Sequence, residues 1–203
     1  VGHPLALLQQ GHHALGRADL VVLVHCHQRL VETQAAQQLT RDAGVFAGHG
    51  VDQIEHVQRL LDSFARWVGR DLISREGPPS DQARRLFEAQ CIVVSHGTEP
   101  DPVLNYGNAA ALALWEMDLA SFVRTPSRLT AEPMHRDERA RLLERTRRDA
   151  YVDDYQGIRI SRSGRRFRIE RAIVWNLVDA AGGHRGQAAT FDRWTPLDAG
   201  DGV

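Results

Sequence analysis

The stretch GIRISRSGRRFRIERAIVWNL, residues 157–177, decides the fold because its side chains alternate in character with a period of two. Such alternation is typical of β-strands that bury one face. The Ser163-Gly164 pair within it suits a tight hairpin turn. The apolar side chains of the second strand are expected to share one face: Phe167, Ile169, Ile173, Trp175 and Leu177. We therefore expect two antiparallel strands joined by a hairpin.

The flanking segments extend this hairpin into a mixed fold. Three further strands are predicted, at Cys91–Val94, Val103–Tyr106 and Gln187–Phe191. Asn108 is suited to cap a helix that runs to Glu116, and this helix must be buried because it is apolar on nearly every side. Another helix is expected from about Arg136 to Arg148. Because helices and antiparallel strands do not alternate, we predict an α+β fold with a five-stranded antiparallel sheet and helices on one face.

The chain is expected to divide unevenly. Residues 1–50 form a poorly defined extension that holds six of the ten histidines. Residues 51–194 form the domain, with leading helices over 51–90 and the core over 91–194, and residues 195–203 form a loose tail. The Gln53–Gly69 helix carries a wide apolar stripe that includes Trp67. Since this stripe would otherwise be exposed, we expect it to form a homodimer or to transmit a signal.

The composition excludes several classes of protein. The chain has 203 residues, and all 25 basic residues are arginine, which excludes Schiff-base and phosphate-loop lysines. No apolar run approaches the roughly 20 residues of a membrane-spanning helix, so no membrane partner is expected. Two cysteines make no disulfide framework, and we expect a reducing, cytoplasmic setting.

Motifs along the domain resemble those of the MEKHLA-domain family. They are SHGTEPDPVLNYGN (95–108), LWEM (114–117), PSRLTAEP (126–133), GIRIS (157–161), GRRF (164–167), VWN (174–176) and GQAA (186–189). The resemblance implies a PAS-like fold, in which helices between the second and third strands wall a cavity. It also implies a regulatory role without supplying a catalytic residue. Plant relatives of this kind carry a homeodomain and a leucine zipper, which this chain lacks, so DNA binding is not implied.

Arg171 is the first candidate ligand-binding residue, because strict alternation places it on the apolar face of its strand. A buried guanidinium needs a charged or multiply accepting partner, and an anionic ligand in the cavity would provide one. Two structural alternatives remain open. A bulge in the strand would turn Arg171 outward, or an internal acid such as Glu132 or Asp153 would pair with it.

Aromatic residues are the next candidates, since ligand pockets are mostly apolar with a few polar anchors. Tyr106, Trp115, Phe167 and Trp175 are expected either to line a pocket or to form an ordinary packed core. Asn105 would supply a polar anchor if a ligand enters beside it, although asparagine also favours turns.

Three weaker patterns are interpreted as structural. His96 lies near acidic residues but has no nucleophile or second base beside it, so we expect a loop-fixing hydrogen bond and no catalytic residue. In His25-Cys26-His27 two ligands at most would converge, so no metal site is expected. The arginines of residues 162–168 are not interleaved with aromatic residues, so no nucleic-acid partner is expected.

The sequence therefore predicts a non-catalytic, regulatory or sensory module that binds a small molecule or a protein partner, with no bound cofactor. Two alternatives stay open. A small enzyme would bring His96, Asp101 and Arg171 together in one pocket. A purely structural interaction domain would have a filled core and an exposed apolar face.

Overall fold

Two helices lead into the sheet in this computed structural model, which describes residues 50–131 and 136–197. Helix α1 spans Gly50–Val68 and helix α2 spans Pro79–Phe87. Among the described residues, no helix is long and apolar enough to cross a membrane. The expected extension before Gly50, with its His25-Cys26-His27 motif, lies outside the described residues, as does the end of the tail after Leu197.

The sheet is antiparallel throughout and contains the five expected strands. Its order is β2–β1–β5–β4–β3, and a short sixth strand, β6, pairs with the start of β4. The remaining elements are β1 (Ile92–His96), β2 (Leu104–Gly107), α3 (Ala109–Trp115), α4 (Leu119–Phe122), a 3-10 helix (Ser127–Thr130), α5 (Arg136–Asp149), β3 (Tyr151–Ile160), β4 (Arg166–Val178), β5 (His184–Phe191) and β6 (Trp194–Leu197). The structure differs from the expected tail here, since the ordered domain continues to Leu197.

Asn108 connects the start of β1 to the start of α3, as its predicted capping role requires. Its side-chain oxygen accepts from the backbone N–H groups of Ala111 at 3.1 Å and Val93 at 3.0 Å. Its amide nitrogen donates to the carbonyl oxygens of Ala89 and Cys91. Because Asn108 is fully buried, these bonds satisfy every polar atom of its side chain within the protein.

A β-bulge interrupts the alternation of β4. Ile169 pairs with Gly157 and Ala172 pairs with Tyr155, so β4 has one residue more than β3 between these two pairs. An extra residue shifts every later side chain to the opposite face. The expectation that Ile173, Trp175 and Leu177 share a face with Phe167 and Ile169 is therefore wrong.

Apolar clusters cover both faces of the sheet. On the first face, which we call the cavity face, Phe167, Ile169, Ala172 and Val174 pack with residues of α3, α4 and α5. On the second face, which we call the α1 face, the sheet packs against α1 and α2. The residues of that second cluster include Val57, Leu60, Leu61 and Phe64 of α1, Leu86 of α2, and Val93, Tyr106, Trp175 and Leu177 of the sheet. The apolar stripe of α1 is thus buried within the chain.

Candidate functional site

A cavity of about 70 Å³ lies on the cavity face of the sheet. Apolar side chains form much of its wall: Trp115, Phe122, Leu142, Ile169, Val174 and Phe191. Polar side chains complete it: His96, Ser127, Arg139, Tyr155, Arg159 and Gln187. An apolar cavity with a few polar groups is the usual composition of a small-molecule site. Its volume is well below the roughly 300–1,000 Å³ of sites for drug-sized ligands, so any occupant is small.

Two arginines of the cavity wall are buried. Arg139 on α5 is 8% exposed and Arg159 on β3 is 7% exposed. Arg139 donates to the hydroxyl of Ser127 at 2.5 Å. Arg159 donates to the hydroxyl of Tyr155 at 2.6 Å and to the carbonyl of Ile158 at 2.9 Å. Both guanidinium groups therefore bond to neutral oxygen atoms.

The two positive charges affect each other. Burial, together with the nearby charge of Arg159, lowers the pKa of Arg139 to about 10. Arg139 still carries its charge at neutral pH. The guanidinium of Arg159 also lies over the ring of Tyr155, with its central carbon 5.1 Å from the ring centroid. That cation–π contact contributes some stabilisation but does not neutralise the charge.

His96 lies at the end of β1 and its ring orientation is fixed by its own loop. Its Nδ1 is 2.8 Å from the carbonyl oxygen of Gly97, so Nδ1 carries the proton and donates. Burial, with a smaller contribution from the charge of Arg139, lowers the pKa of His96 to about 4. The ring is therefore neutral at pH 7 and Nε2 is an acceptor. Nε2 is buried without a hydrogen-bond partner among the described residues.

Trp115 is the central aromatic residue of the cavity wall. Its ring contacts Phe167 edge to face, with centroids 5.3 Å apart, and contacts Phe122 and Phe191 in the same manner at 6.2 Å. Its indole Nε1–H, like Nε2 of His96, is buried and has no partner among the described residues. A buried polar group without a partner costs roughly 1–3 kcal/mol. A bound molecule would be able to recover part of that cost.

A second polar network lies on the α1 face, directly behind His96. Nε2 of His56 on α1 is 2.9 Å from the hydroxyl of Ser95, which donates in turn to the side-chain oxygen of Asn105 at 2.6 Å. Burial lowers the pKa of His56 to about 4, so its ring is also neutral at pH 7. This network joins α1 to β1 and β2.

The structure brings two of the six predicted binding residues to the cavity side of the sheet. Trp115 lines the cavity, and Phe167 is buried against Trp115. Three others belong to the α1 face. Tyr106 packs beside His56, Trp175 packs edge to face against Phe64, and Asn105 binds Ser95. The bulge in β4 explains why Trp175 lies on the α1 face. A register shift between Ser95 and His96 explains the same position of Tyr106.

Arg171 lies outside the cavity, which corrects the expectation that it is on the core face. Its side chain is 74% exposed. Its Nε donates to the carbonyl oxygen of Asp153 at 3.1 Å, and its guanidinium is 3.9 Å from the Asp153 carboxylate. The bulge turns Arg171 outward. Asp101, the other residue of the enzyme alternative, is exposed and pairs with Arg128, so His96, Asp101 and Arg171 do not converge.

Sequence reasoning missed Arg139 and Arg159. Strict alternation with Ile158 and Ile160 predicts that Arg159 lies on the polar side of its strand, whereas Ile158 and Arg159 are both buried. Arg139 carried a usable signal. It extends the stripe of Leu142, Leu143 and Thr146 by one further turn of α5, at the same three-and-four spacing.

The remaining sequence candidates are the arginines of the 162–168 hairpin, the possible metal motif and Glu132. On the hairpin of residues 162–168, Arg165 forms an ion pair with Glu116 at 2.9 Å. Among the described residues, no group of three or more His, Cys, Asp and Glu side chains is placed to hold a metal ion. The His25-Cys26-His27 motif and Glu132 lie outside the described residues.

The strand order, the antiparallel pairing and the helices that wall a cavity define a PAS-like domain. The PAS domain of a protein from Colwellia psychrerythraea has a similar fold, with a TM-score of 0.50 and 8% identity, over 58% of this chain and 95% of that one. Two photoreceptor structures show weaker similarity. A fungal light-oxygen-voltage domain has a TM-score of 0.46 and 13% identity over 76% of this chain and 97% of that one. The blue-light photoreceptor Vivid has a TM-score of 0.44 and 12% identity over 68% of this chain and 94% of that one.

The family follows from the sequence itself. The model of the MEKHLA domain matches residues 54–196, which is most of the chain. The chain therefore belongs to the MEKHLA domain family, as its motifs predicted. No curated protein matched it.

Proposed function

We propose that this chain is a non-catalytic regulatory sensor whose cavity binds a small molecule. The main support is that two residues of the cavity wall, His96 and Trp115, each have a buried polar atom without a hydrogen-bond partner among the described residues. One atom is an acceptor and the other is a donor. Buried polar atoms without partners call for an explanation, and these two line the same cavity. A ligand that supplies a donor and an acceptor would satisfy them.

The output of this sensor is assigned to α1. His96 and Ser95 are neighbours on β1 and face opposite sides of the sheet, with Ser95 bound to His56 of α1. A ligand that repositions His96 therefore acts on a strand that also carries a bond to α1. Binding shifts the population of α1 positions only if the ligand prefers one of them, and this shared strand provides a route for such a preference.

The apolar stripe that suggested a homodimer through the Gln53–Gly69 helix packs against the chain's own sheet. The apolar side chains that motivated it, including Val57, Leu61 and Phe64, are buried against the chain's own sheet. Ile54 and Trp67 also pack against that cluster. A transmitting role for α1 uses these intramolecular contacts and needs no second copy.

The experiment is native mass spectrometry of the full chain purified from its own host, followed by hydrogen exchange with and without the retained molecule. We expect a bound small molecule and slower exchange of α1 amides in the bound state. Trp115→Phe keeps an aromatic ring, although a smaller one, and removes the N–H, so it should reduce the bound fraction.

Trp175→Phe is the matched control. Trp175 also has a buried Nε1 without a partner among the residues that the structure describes, but it lies on the α1 face. Its change should leave the bound fraction intact. The sensor proposal fails if the host-purified protein carries no small molecule, or if both tryptophan variants lose it equally.

A further inference from the structure

The charge of the cavity wall identifies the class of ligand. Arg139 and Arg159 come from different elements, α5 and β3, and both line the same 70 Å³ cavity. Fully buried arginine side chains are rare unless an anion pairs with them, because removing a charge from water is expensive. Two such side chains that meet at one small cavity require a stronger explanation than one.

The described protein supplies no anion for these two arginines. Among the side chains that the structure describes, no carboxylate forms an ion pair with either of them. The carboxylate of Asp101 acts on Arg139 through space, but both of its oxygens accept from Nε of Arg128 at 3.0 Å. Ser127 and Tyr155 are neutral. The positive charge at the cavity is thus not compensated by these neighbours.

We propose that the cavity binds a short-chain monocarboxylate, with its carboxylate between Arg139 and Arg159 and its alkyl part against the apolar wall. This assignment rests on the proposed sensor function and names its ligand class. Guanidinium groups bind carboxylates through paired, charge-assisted hydrogen bonds. Arg139 uses one hydrogen bond to Ser127 and keeps further N–H donors for a ligand.

The size and the wall of the cavity select the tail of the ligand. A water molecule needs roughly 10–15 Å³ of such space, so the cavity has room for about five to seven water-sized groups. Propionate and butyrate have about that number of non-hydrogen atoms. The apolar part of the wall includes Phe122, Leu142 and Val174. Burying an alkyl tail there is favourable, whereas phosphate or sulfate would gain nothing from it.

The test is isothermal titration calorimetry of the dialysed full chain with sodium propionate, sodium butyrate, propionamide and butyramide. The amides have the same shape without the charge. We expect the carboxylates to bind about ten- to a hundredfold more tightly than their amides, since hydrogen bonds to charged groups are worth more than neutral ones. Sodium phosphate and sodium sulfate should bind more weakly than butyrate.

Arginine variants locate the binding. Arg139→Gln and Arg159→Gln should each weaken butyrate binding about tenfold or more. Arg171→Gln is the matched control, because Arg171 is an exposed arginine of the same sheet and pairs with Asp153. It should leave the affinity unchanged.

Two results would overturn the carboxylate assignment. One is equal binding of a carboxylate and its amide to the unaltered protein, a comparison that needs no variant. The other is tighter binding of phosphate or sulfate than of butyrate. In either case a small molecule found by native mass spectrometry would still support the sensor, so the two proposals fail separately.

Discussion

His56 of α1 and Ser95 of β1 are joined by a hydrogen bond of 2.9 Å across the α1 face of the sheet. The Ser95 hydroxyl donates onward to Asn105, so it serves both neighbours at once. Replacing it leaves two polar side chains without their partner. Ser95→Ala should therefore lower the free energy of unfolding by about 1–3 kcal/mol.

Urea unfolding measures this change, and Ser74→Ala is its control. Ser74 also accepts a hydrogen bond, from the backbone N–H of Glu76, but this bond is exposed to solvent. Its loss should change stability by less than about 0.5 kcal/mol. Equal effects at Ser95 and Ser74 would show that the link between α1 and β1 contributes little.

The two buried histidines should make the protein acid-sensitive. Burial lowers the pKa of both His56 and His96 from 6.5 to about 4. Between these values the unfolded chain binds more protons than the folded one, so stability falls as the pH falls from about 6.5 to about 4. The loss is on the order of 3 kcal/mol for each histidine and is complete below pH 4.

Urea unfolding at a series of pH values measures this dependence. His96→Gln should reduce the slope between pH 4 and pH 6.5, and the double variant with His56→Gln should reduce it further. Unchanged slopes in both variants would contradict the burial of these rings. His184 is less buried and its pKa is lowered less, so it provides a third variant with a smaller effect.

Gly186 should tolerate no side chain, because it has a positive φ of 121° and lies against the backbone of His96. A Cβ there would meet the carbonyl oxygen of His96. Gly186→Ala should cost about 3 kcal/mol or more, since backbone strain and the contact add. Gly182→Ala is the control, with a φ of 85° and open space around its Cβ position, and should cost about 1–2 kcal/mol. Thermal unfolding of the two variants compares them, and equal costs would refute the contact.

Without a bound carboxylate, the buried charge of Arg139 should not stabilise the fold. Replacing a buried charge by an apolar side chain of similar volume is often neutral or stabilising by about 1–4 kcal/mol. Arg139→Met should therefore unfold at the same or a higher temperature than the unaltered protein in the absence of carboxylate. A loss of about 3 kcal/mol instead would mean that an internal acid already pairs with Arg139. Differential scanning calorimetry in a buffer without carboxylates makes the measurement.

Local signals predicted the fold well because each depended on a few adjacent residues. Asn108 predicted the start of the helix after β2, and the Ser163-Gly164 turn predicted the hairpin between β3 and β4. The start of the fifth strand was approximate, since β5 begins at His184 and not at Gln187, and β6 was not predicted.

The site was harder to predict because one error in the direction of a side chain carries over to every later residue of the strand. One extra residue between Ile169 and Ala172 reverses every later assignment on β4. The consecutive charged residues Glu170 and Arg171 made a bulge one of the alternatives, but the sequence alone did not decide between that bulge and a buried Arg171. Arg139 and Arg159 line the same cavity because α5 packs against β3. The spacing of residues along the chain does not predict that packing.

The bulge of β4 also explains why there is any empty space beneath α3–α5. It directs the bulky side chains of Ile173, Trp175 and Leu177 toward α1 and leaves the smaller Ala172 and Val174 on the opposite side. With uninterrupted pairing, an indole ring would project to where the cavity now lies. The vacancy is thus created in the backbone, and deletion of a single residue at this point would be expected to fill it.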